Sequence, residues 1–139
     1  MTNLLVGVDG SDGSRRAAYF ARDLARQFGA KLTLLYVVEP LPSGPAGTFE
    51  EPQQAYYERQ FQGATALLRE LSNELEVGSV DQVVEMGRPG EVICREGEER
   101  DADLIIVGSR GQSAGARFLM GTVVDRVAAL ASRSVAIVR

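Results

Sequence analysis

The sequence predicts a doubly wound α/β fold, in which helices cover both faces of a parallel sheet. Three observations lead to this prediction. Five short runs rich in Val, Ile and Leu recur along the chain, and segments with apolar residues at helical spacing separate them. The length of 139 residues fits one domain spanning residues 1–139. Strands that alternate with helices form right-handed crossovers, so the sheet is parallel, and we expect the order 3-2-1-4-5.

The five apolar runs are the predicted strands. Each is short and rich in branched residues, which is typical of parallel strands buried on both faces. In chain order the predicted strands are Asn3–Val8, Lys31–Val38, Val80–Met86, Asp103–Val107 and Ser134–Val138.

Four helices are predicted from apolar residues that recur every three or four positions. Gly29 and Gly78 follow the first and second of these segments, where glycine commonly ends a helix. Pro89 fits the first position of the third helix. The periodic residues run from Ala17 to Phe28 in the first segment and from Tyr57 to Leu75 in the second. The third and fourth helices are predicted to span Pro89–Arg100 and Thr122–Ala131.

One connection is unusually long. The segment Glu39–Pro52 follows the second strand and contains four of the five prolines. Loops of this length are either functional lids or tolerated surface excursions. The sequence leaves both interpretations open.

The composition excludes several classes of chemistry. The chain has no histidine and a single cysteine, so it lacks the Ser-His-Asp triad, the Cys-His pair, the commonest zinc ligand sets and an intramolecular disulfide. We therefore predict no catalytic and no metal-ligating residues. A net charge of -4 gives no overall attraction to nucleic acid or anionic lipid. No long apolar run or signal-like start is present, and we predict a cytoplasmic protein.

The candidate site lies where two glycine-containing turns follow strands. The first strand leads into Asp9, and the fourth into Gly108 and Gly111. Ligands of open α/β sheets bind beyond the carboxyl ends of the strands. Gly121 and Thr122 are expected to open the fourth helix, whose free N–H groups could bind a phosphate. These glycines could equally form only turns and a helix cap.

The spacing Gly108-x2-Gly111-x9-Gly121-Thr122 resembles the nucleotide-binding pattern of the ATP-binding universal stress proteins. The resemblance covers the whole chain. Three further segments are similar to the first strand and turn, the third strand-helix junction and the last strand of that family: LVGVDGS at 5–11, GRPGEVI at 87–93 and VAIVR at 135–139. Two positions depart from the family pattern, Tyr36 in place of a frequent histidine and Arg133-Ser134 in place of a frequent proline.

The resemblance implies specific roles for residues of this chain. Asp9 would lie against the nucleotide, Val37 and Val38 would line the adenine pocket, and Gly108 would approach the ribose. Gly111, Gly121 and Thr122 would hold the phosphates, with Val123 next to them. The full set of implied binding residues is Gly7, Asp9, Val37, Val38, Gly108, Gly111, Gly121, Thr122 and Val123. The resemblance also implies a homodimer formed through the last strand, Ser134 to Val138.

The expected function is that of an ATP-binding regulatory protein of the stress response. The glycine-containing loop has no Walker lysine, and no set of groups suited to hydrolysis is evident, so we expect slow turnover or none. Magnesium would be held largely by phosphate oxygens. The alternative is an interaction module of the same fold that binds no nucleotide or a cyclic one. A transferase or ligase also stays open, whereas a receiver domain is disfavoured because Met86 stands where it needs aspartate.

Overall fold

The computed structural model describes residues 1–41, 53–109 and 117–139, without the side chains of residues 117–122. Five strands alternate with four helices. In chain order they are β1 (Asn3–Val8), α1 (Asp12–Phe28), β2 (Lys31–Val38), α2 (Gln53–Leu75), β3 (Val80–Met86), α3 (Pro89–Glu99), β4 (Leu104–Gly108), α4 (Arg117–Leu130) and β5 (Val135–Val138).

The strands form one sheet in the order β3-β2-β1-β4-β5. Each neighbouring pair is parallel. Val6 of β1 is flanked by Leu34 of β2 on one side and by Ile106 of β4 on the other. The predicted fold class and strand order are therefore confirmed.

The core has two layers because side chains alternate between the faces of a strand. Leu4 and Val6 of β1 belong to the apolar cluster beneath α1 and α2, which includes Leu68. Leu5 belongs to the cluster beneath α3 and α4, which includes Val127. The sheet is thus covered on both faces.

Helix α1 illustrates how the local sequence fixes an element. Ser11 is its N-cap and accepts a hydrogen bond from the N–H of Ser14, while Gly29 ends the helix in a left-handed conformation. The face of the helix toward the sheet consists mainly of small residues that allow close packing: Gly13, Ser14, Ala17, Ala18, Ala21 and Ala25. The first turn of α1 consequently lies close to the strand ends.

Several predicted boundaries were wrong. The fourth helix was predicted to begin at Thr122, but α4 begins at Arg117, five residues earlier. α1 begins at Asp12 and α2 at Gln53, five and four residues before the first periodic residue of each segment. Gly121 was interpreted as the residue before α4, but a glycine within a helix costs only about 1 kcal/mol relative to alanine. β4 and β5 each begin one residue later than predicted. Apart from its first three residues, the predicted loop Glu39–Pro52 lies outside the described residues.

Candidate functional site

The candidate site lies at the carboxyl ends of β1 and β4. These neighbouring strands lead into helices on opposite faces of the sheet, α1 on one face and α4 on the other. Such a reversal opens a crevice between the two connections, where ligands of doubly wound folds bind. Asp9 follows β1 and Ser109 follows β4, so both lie at this crevice.

Asp9 is part of a tight turn that connects β1 to α1. Gly10, at the centre of the turn, has a φ of 85°, a conformation that favours glycine. The carboxylate of Asp9 accepts hydrogen bonds from the N–H of Ser11, at 2.9 Å, and from the Ser11 hydroxyl. The turn therefore holds the carboxylate in a defined orientation at the mouth of the crevice.

Ser14 completes this turn, although sequence analysis did not single it out. Its hydroxyl accepts a hydrogen bond from the N–H of Asp9 at 3.2 Å and donates one to the carbonyl of Ser11 at 3.1 Å. Only 5% of Ser14 is exposed. The spacing Ser11-x-x-Ser14 directly after an apolar strand is the signal that could have revealed it.

Gly108 ends β4 against the backbone of α1. A Cβ at this position would lie 2.5 Å from the carbonyl oxygen of Gly13 and 3.0 Å from the nitrogen of Ser14. The packing against α1 is by itself enough to require glycine at this position. A direct approach of Gly108 to a ribose stays a prediction.

Three of the predicted residues share the face of the sheet that α3 and α4 cover. Val37 and Val123 pack against the same apolar cluster, and a Cβ at Gly7 would lie 2.9 Å from Cδ1 of Ile93. Val38 points to the opposite face because it follows Val37 in the strand, and it is only 2% exposed. The structure does not bring Val37 and Val38 to one surface.

Two of the three residues predicted to bind the phosphates occupy a different position in the fourth helix from the expected one. Gly111 lies outside the described residues. Gly121 and Thr122 were predicted to open the fourth helix. They are instead the fifth and sixth residues of α4. In an α-helix, the N–H of the fifth residue donates to the carbonyl of the first, so the free N–H groups of α4 belong to its first turn.

Tyr36 lies at the same end of the sheet as Asp9, the carboxyl end of the strands. It pairs with Val8 in the sheet, one residue before Asp9. Burial raises the pKa of the Tyr36 hydroxyl, and the charges of Asp9 and Glu39 raise it further. The phenol therefore stays protonated at physiological pH.

Two further features are absent from the part of the chain that the structure describes. No three cysteine or acidic side chains in those ranges converge as metal ligands. None of the helices seen there combines the length and apolarity that crossing a bilayer requires.

Comparison with known proteins identifies the family. The model of the universal stress protein family matches residues 1–139. The chain belongs to this family. A relative in Thermus aquaticus, described as a universal stress protein in the 3′ region of a QAH/OAS sulfhydrylase gene, is 32% identical over 136 residues, which are 98% of this chain and 97% of the relative.

Solved structures of universal stress proteins share the fold. One from Lactobacillus plantarum superposes with a TM-score of 0.83 at 24% identity, covering 99% of this chain and 97% of the other. A universal stress protein solved in complex with cAMP gives a TM-score of 0.76 at 27% identity, covering 99% of this chain and 96% of the other. The family resemblance seen in the glycine spacing is thus confirmed, whereas ATP binding by this chain stays a prediction.

Proposed function

We propose that this universal stress protein binds an adenine nucleotide, ATP with Mg²⁺, at the carboxyl ends of β1 and β4. The bound nucleotide acts as a regulatory signal in a stress response, with slow hydrolysis or none. The observation that carries the proposal is the topology: Asp9, held by its turn, follows β1 next to the end of β4, and these two strands lead into helices on opposite faces of the sheet. The cAMP complex of a relative with the same fold gives further support.

Asp9 is the proposed contact to the ribose. A carboxylate accepts hydrogen bonds at both of its oxygens, and the two hydroxyls of a ribose are suitable donors. Its negative charge would repel phosphates at close range, which favours an orientation with the ribose next to Asp9 and the phosphates farther away. Tyr36, whose protonated phenol is a possible donor, lies at the same end of the sheet.

Backbone N–H groups are the proposed holders of the phosphates. Lys31, the one lysine of the chain, starts β2 at the opposite end of the sheet and pairs with Asp81 at 2.9 Å. The free N–H groups of α4 belong to residues 117–119, and the positive end of the helix dipole lies there. We therefore propose this first turn, together with Gly111, Gly121 and Thr122, as the region that receives the phosphates, which in turn hold Mg²⁺.

The proposal is tested by identifying what the purified protein carries and what it binds. We expect that denaturation of the protein releases an adenine nucleotide, and that calorimetry with Mg-ATP gives a 1:1 complex. Asp9→Asn should weaken the complex about tenfold or more, because a charged acceptor is lost. A protein that releases no nucleotide and gives no heat with ATP, ADP, AMP or cAMP would refute the proposal.

The second candidate is an interaction module that binds a cyclic nucleotide. The relative solved with cAMP is the observation that favours it. Competing titrations with ATP and cAMP separate the two functions, since a cyclic nucleotide carries one phosphate charge and needs no triphosphate seat. Tighter binding of cAMP than of Mg-ATP would replace the first candidate by the second.

We also propose that the protein forms a homodimer through β5. This strand ends the described sheet, is uncharged, and has Ile137 exposed at 46%. The N–H groups of Ile105 and Ser109 donate to the carbonyls of Ser134 and Val138, so Ile137 directs its own N–H and carbonyl outward. A second copy could pair with this edge.

The dimer is tested with Ile137→Pro, which removes an outward N–H and leaves the bonds to β4 in place. We expect light scattering to show a dimer for the wild type and for the control Ile137→Val, and a monomer for Ile137→Pro. A dimer that persists in Ile137→Pro would place the contact elsewhere.

A further inference from the structure

We propose that Ser14 is a positioning residue that sets the direction of the Asp9 carboxylate. This inference rests on the proposed function, since it concerns the same site. Ser14 lies in the first turn of α1 and is almost fully buried, so its effect must pass through other residues. The hydrogen bonds around it show the route.

The Ser14 hydroxyl closes the turn that carries Asp9. It accepts from the N–H of Asp9 at 3.2 Å and donates to the carbonyl of Ser11 at 3.1 Å, so a single oxygen joins the two ends of the turn. Gly10 between them has a positive φ and imposes little rigidity of its own. Ser14 therefore fixes the separation of Asp9 and Ser11.

The backbone of Ser14 also orients the Ser11 hydroxyl. The N–H of Ser14 donates to Oγ of Ser11 at 3.1 Å, and Ser11 in turn donates its hydroxyl proton to the carboxylate of Asp9. Because the Ser11 oxygen is already an acceptor on one side, its proton points toward Asp9. This relay, together with the Ser11 N–H at 2.9 Å, determines which way the carboxylate faces.

The sheet holds Ser14 in place. The end of β4 at Gly108 presses on the first turn of α1, so closely that a Cβ there would lie 3.0 Å from the nitrogen of Ser14. The end of β4 thus lies against the backbone of the residue whose hydroxyl binds the N–H of Asp9, just after β1. In this arrangement Asp9 presents its carboxylate to the ligand without a direct contact between Ser14 and the ligand.

The first experiment measures selectivity for the ribose hydroxyls. Wild type, Ser14→Ala and Asp9→Asn are titrated with Mg-ATP and with Mg-2′,3′-dideoxy-ATP. We expect the wild type to bind ATP more tightly than the dideoxy analogue. Ser14→Ala should lower the affinity for ATP about tenfold and change the affinity for the dideoxy analogue little. In the Asp9→Asn background, Ser14→Ala should cause no further loss.

The matched control is Thr33→Val, which removes another buried hydroxyl at the amino end of the sheet. It should leave both affinities unchanged. Equal weakening of the two analogues by Ser14→Ala, unchanged ATP binding, or a wild type that does not distinguish the analogues would each overturn the inference.

A second measurement needs no ligand. Hydrogen exchange of the free protein, followed by NMR, reports the N–H groups of Asp9 and Ser11. We expect Ser14→Ala to speed exchange at both while Val6, in the centre of β1, keeps its protection. If the wild type bound no nucleotide, the proposed function would fail, and this measurement would still decide whether Ser14 orders the turn. Unchanged exchange at Asp9 and Ser11 would refute that role.

Discussion

The two ends of the sheet are held together by different kinds of interaction. At the carboxyl end, glycines and serines form tight turns, and the backbone of α1 touches the end of β4. At the amino end, charged side chains bridge neighbouring elements. The carboxyl end is thus held by backbone packing and by hydrogen bonds within a turn, whereas the amino end is held together by side-chain charges.

The ionic chain at the amino end joins β2, β3 and α3. Lys31 contacts Asp81 at 2.9 Å, Asp81 contacts Arg100 at 3.8 Å, and Arg100 contacts the buried Glu96 at 2.7 Å. A cavity of about 200 Å³ lies next to Lys31 and Arg100. Both cations that border it are paired with carboxylates, so the cavity has no excess positive charge for an anion.

Gly108→Ala should have the largest effect, because the new Cβ would meet backbone at 2.5 Å and the first turn of α1 would have to move. We expect a loss of about 3 kcal/mol in the free energy of unfolding and a loss of nucleotide binding. Urea denaturation and calorimetry measure the two effects. Gly63→Ala is the control: its Cβ would meet no atom of the described residues within 4 Å, and it should raise stability by about 1 kcal/mol.

Glu96→Gln tests the other end of the sheet. It removes the charge that binds Arg100, and because Arg100 stays partly exposed to water we expect a loss of only about 1 to 2 kcal/mol. Nucleotide affinity should not change. Glu99→Gln, which weakens an exposed pair with Arg95 at 3.9 Å, should cost almost nothing. A fall in affinity with Glu96→Gln would mean that the two ends are coupled.

Gly7→Ala separates packing from ligand contact. The added Cβ would lie 2.9 Å from Cδ1 of Ile93, the far end of a flexible side chain, so a loss of about 1 kcal/mol is expected. Ile93→Val removes that methyl group and should recover part of the loss in the double variant. Absence of recovery would show that the glycine serves something other than this contact.

Asp103 gives the smallest effect, which is measured most directly as a change in the pH dependence of stability. Hydrogen bonds from the N–H groups of Asn3 and Thr2 lower the pKa of Asp103 in the folded protein. The stability it contributes is therefore present above the unfolded pKa, about 4, and is lost as the pH falls through the lower folded value. Unfolding at pH 7 and pH 3 should show a smaller difference for Asp103→Asn than for wild type.

The sequence predicted the sheet well because each strand carries its own signal. The run Lys31–Val38 is mostly apolar on both faces, and the observed strand β2 has the same bounds as the predicted one. The start of α2 was missed because Gln53 and Gln54 are polar and add nothing to the helical period. The start of α4 was missed because Gly121 resembles a boundary when only sequence neighbours are considered.

The candidate site was less predictable, since its decisive contacts join residues far apart in sequence. That Gly108 touches Gly13 is visible only once β4 lies beside β1. The opposite directions of Val37 and Val38, by contrast, follow from the alternation of a strand and could have been predicted. The relation of Ser14 to Asp9 lies between these cases, because it is local but depends on the shape of the turn.

The central place of β1 also affects how the chain is made. β1 is synthesised first, yet it acquires its second neighbour, β4, only after β3 and α3 have emerged. Until then the first half carries an open, apolar strand edge of the kind that pairs with other chains. A translational delay between Met86 and Leu104 should therefore promote aggregation of the nascent polypeptide more than a delay later in synthesis.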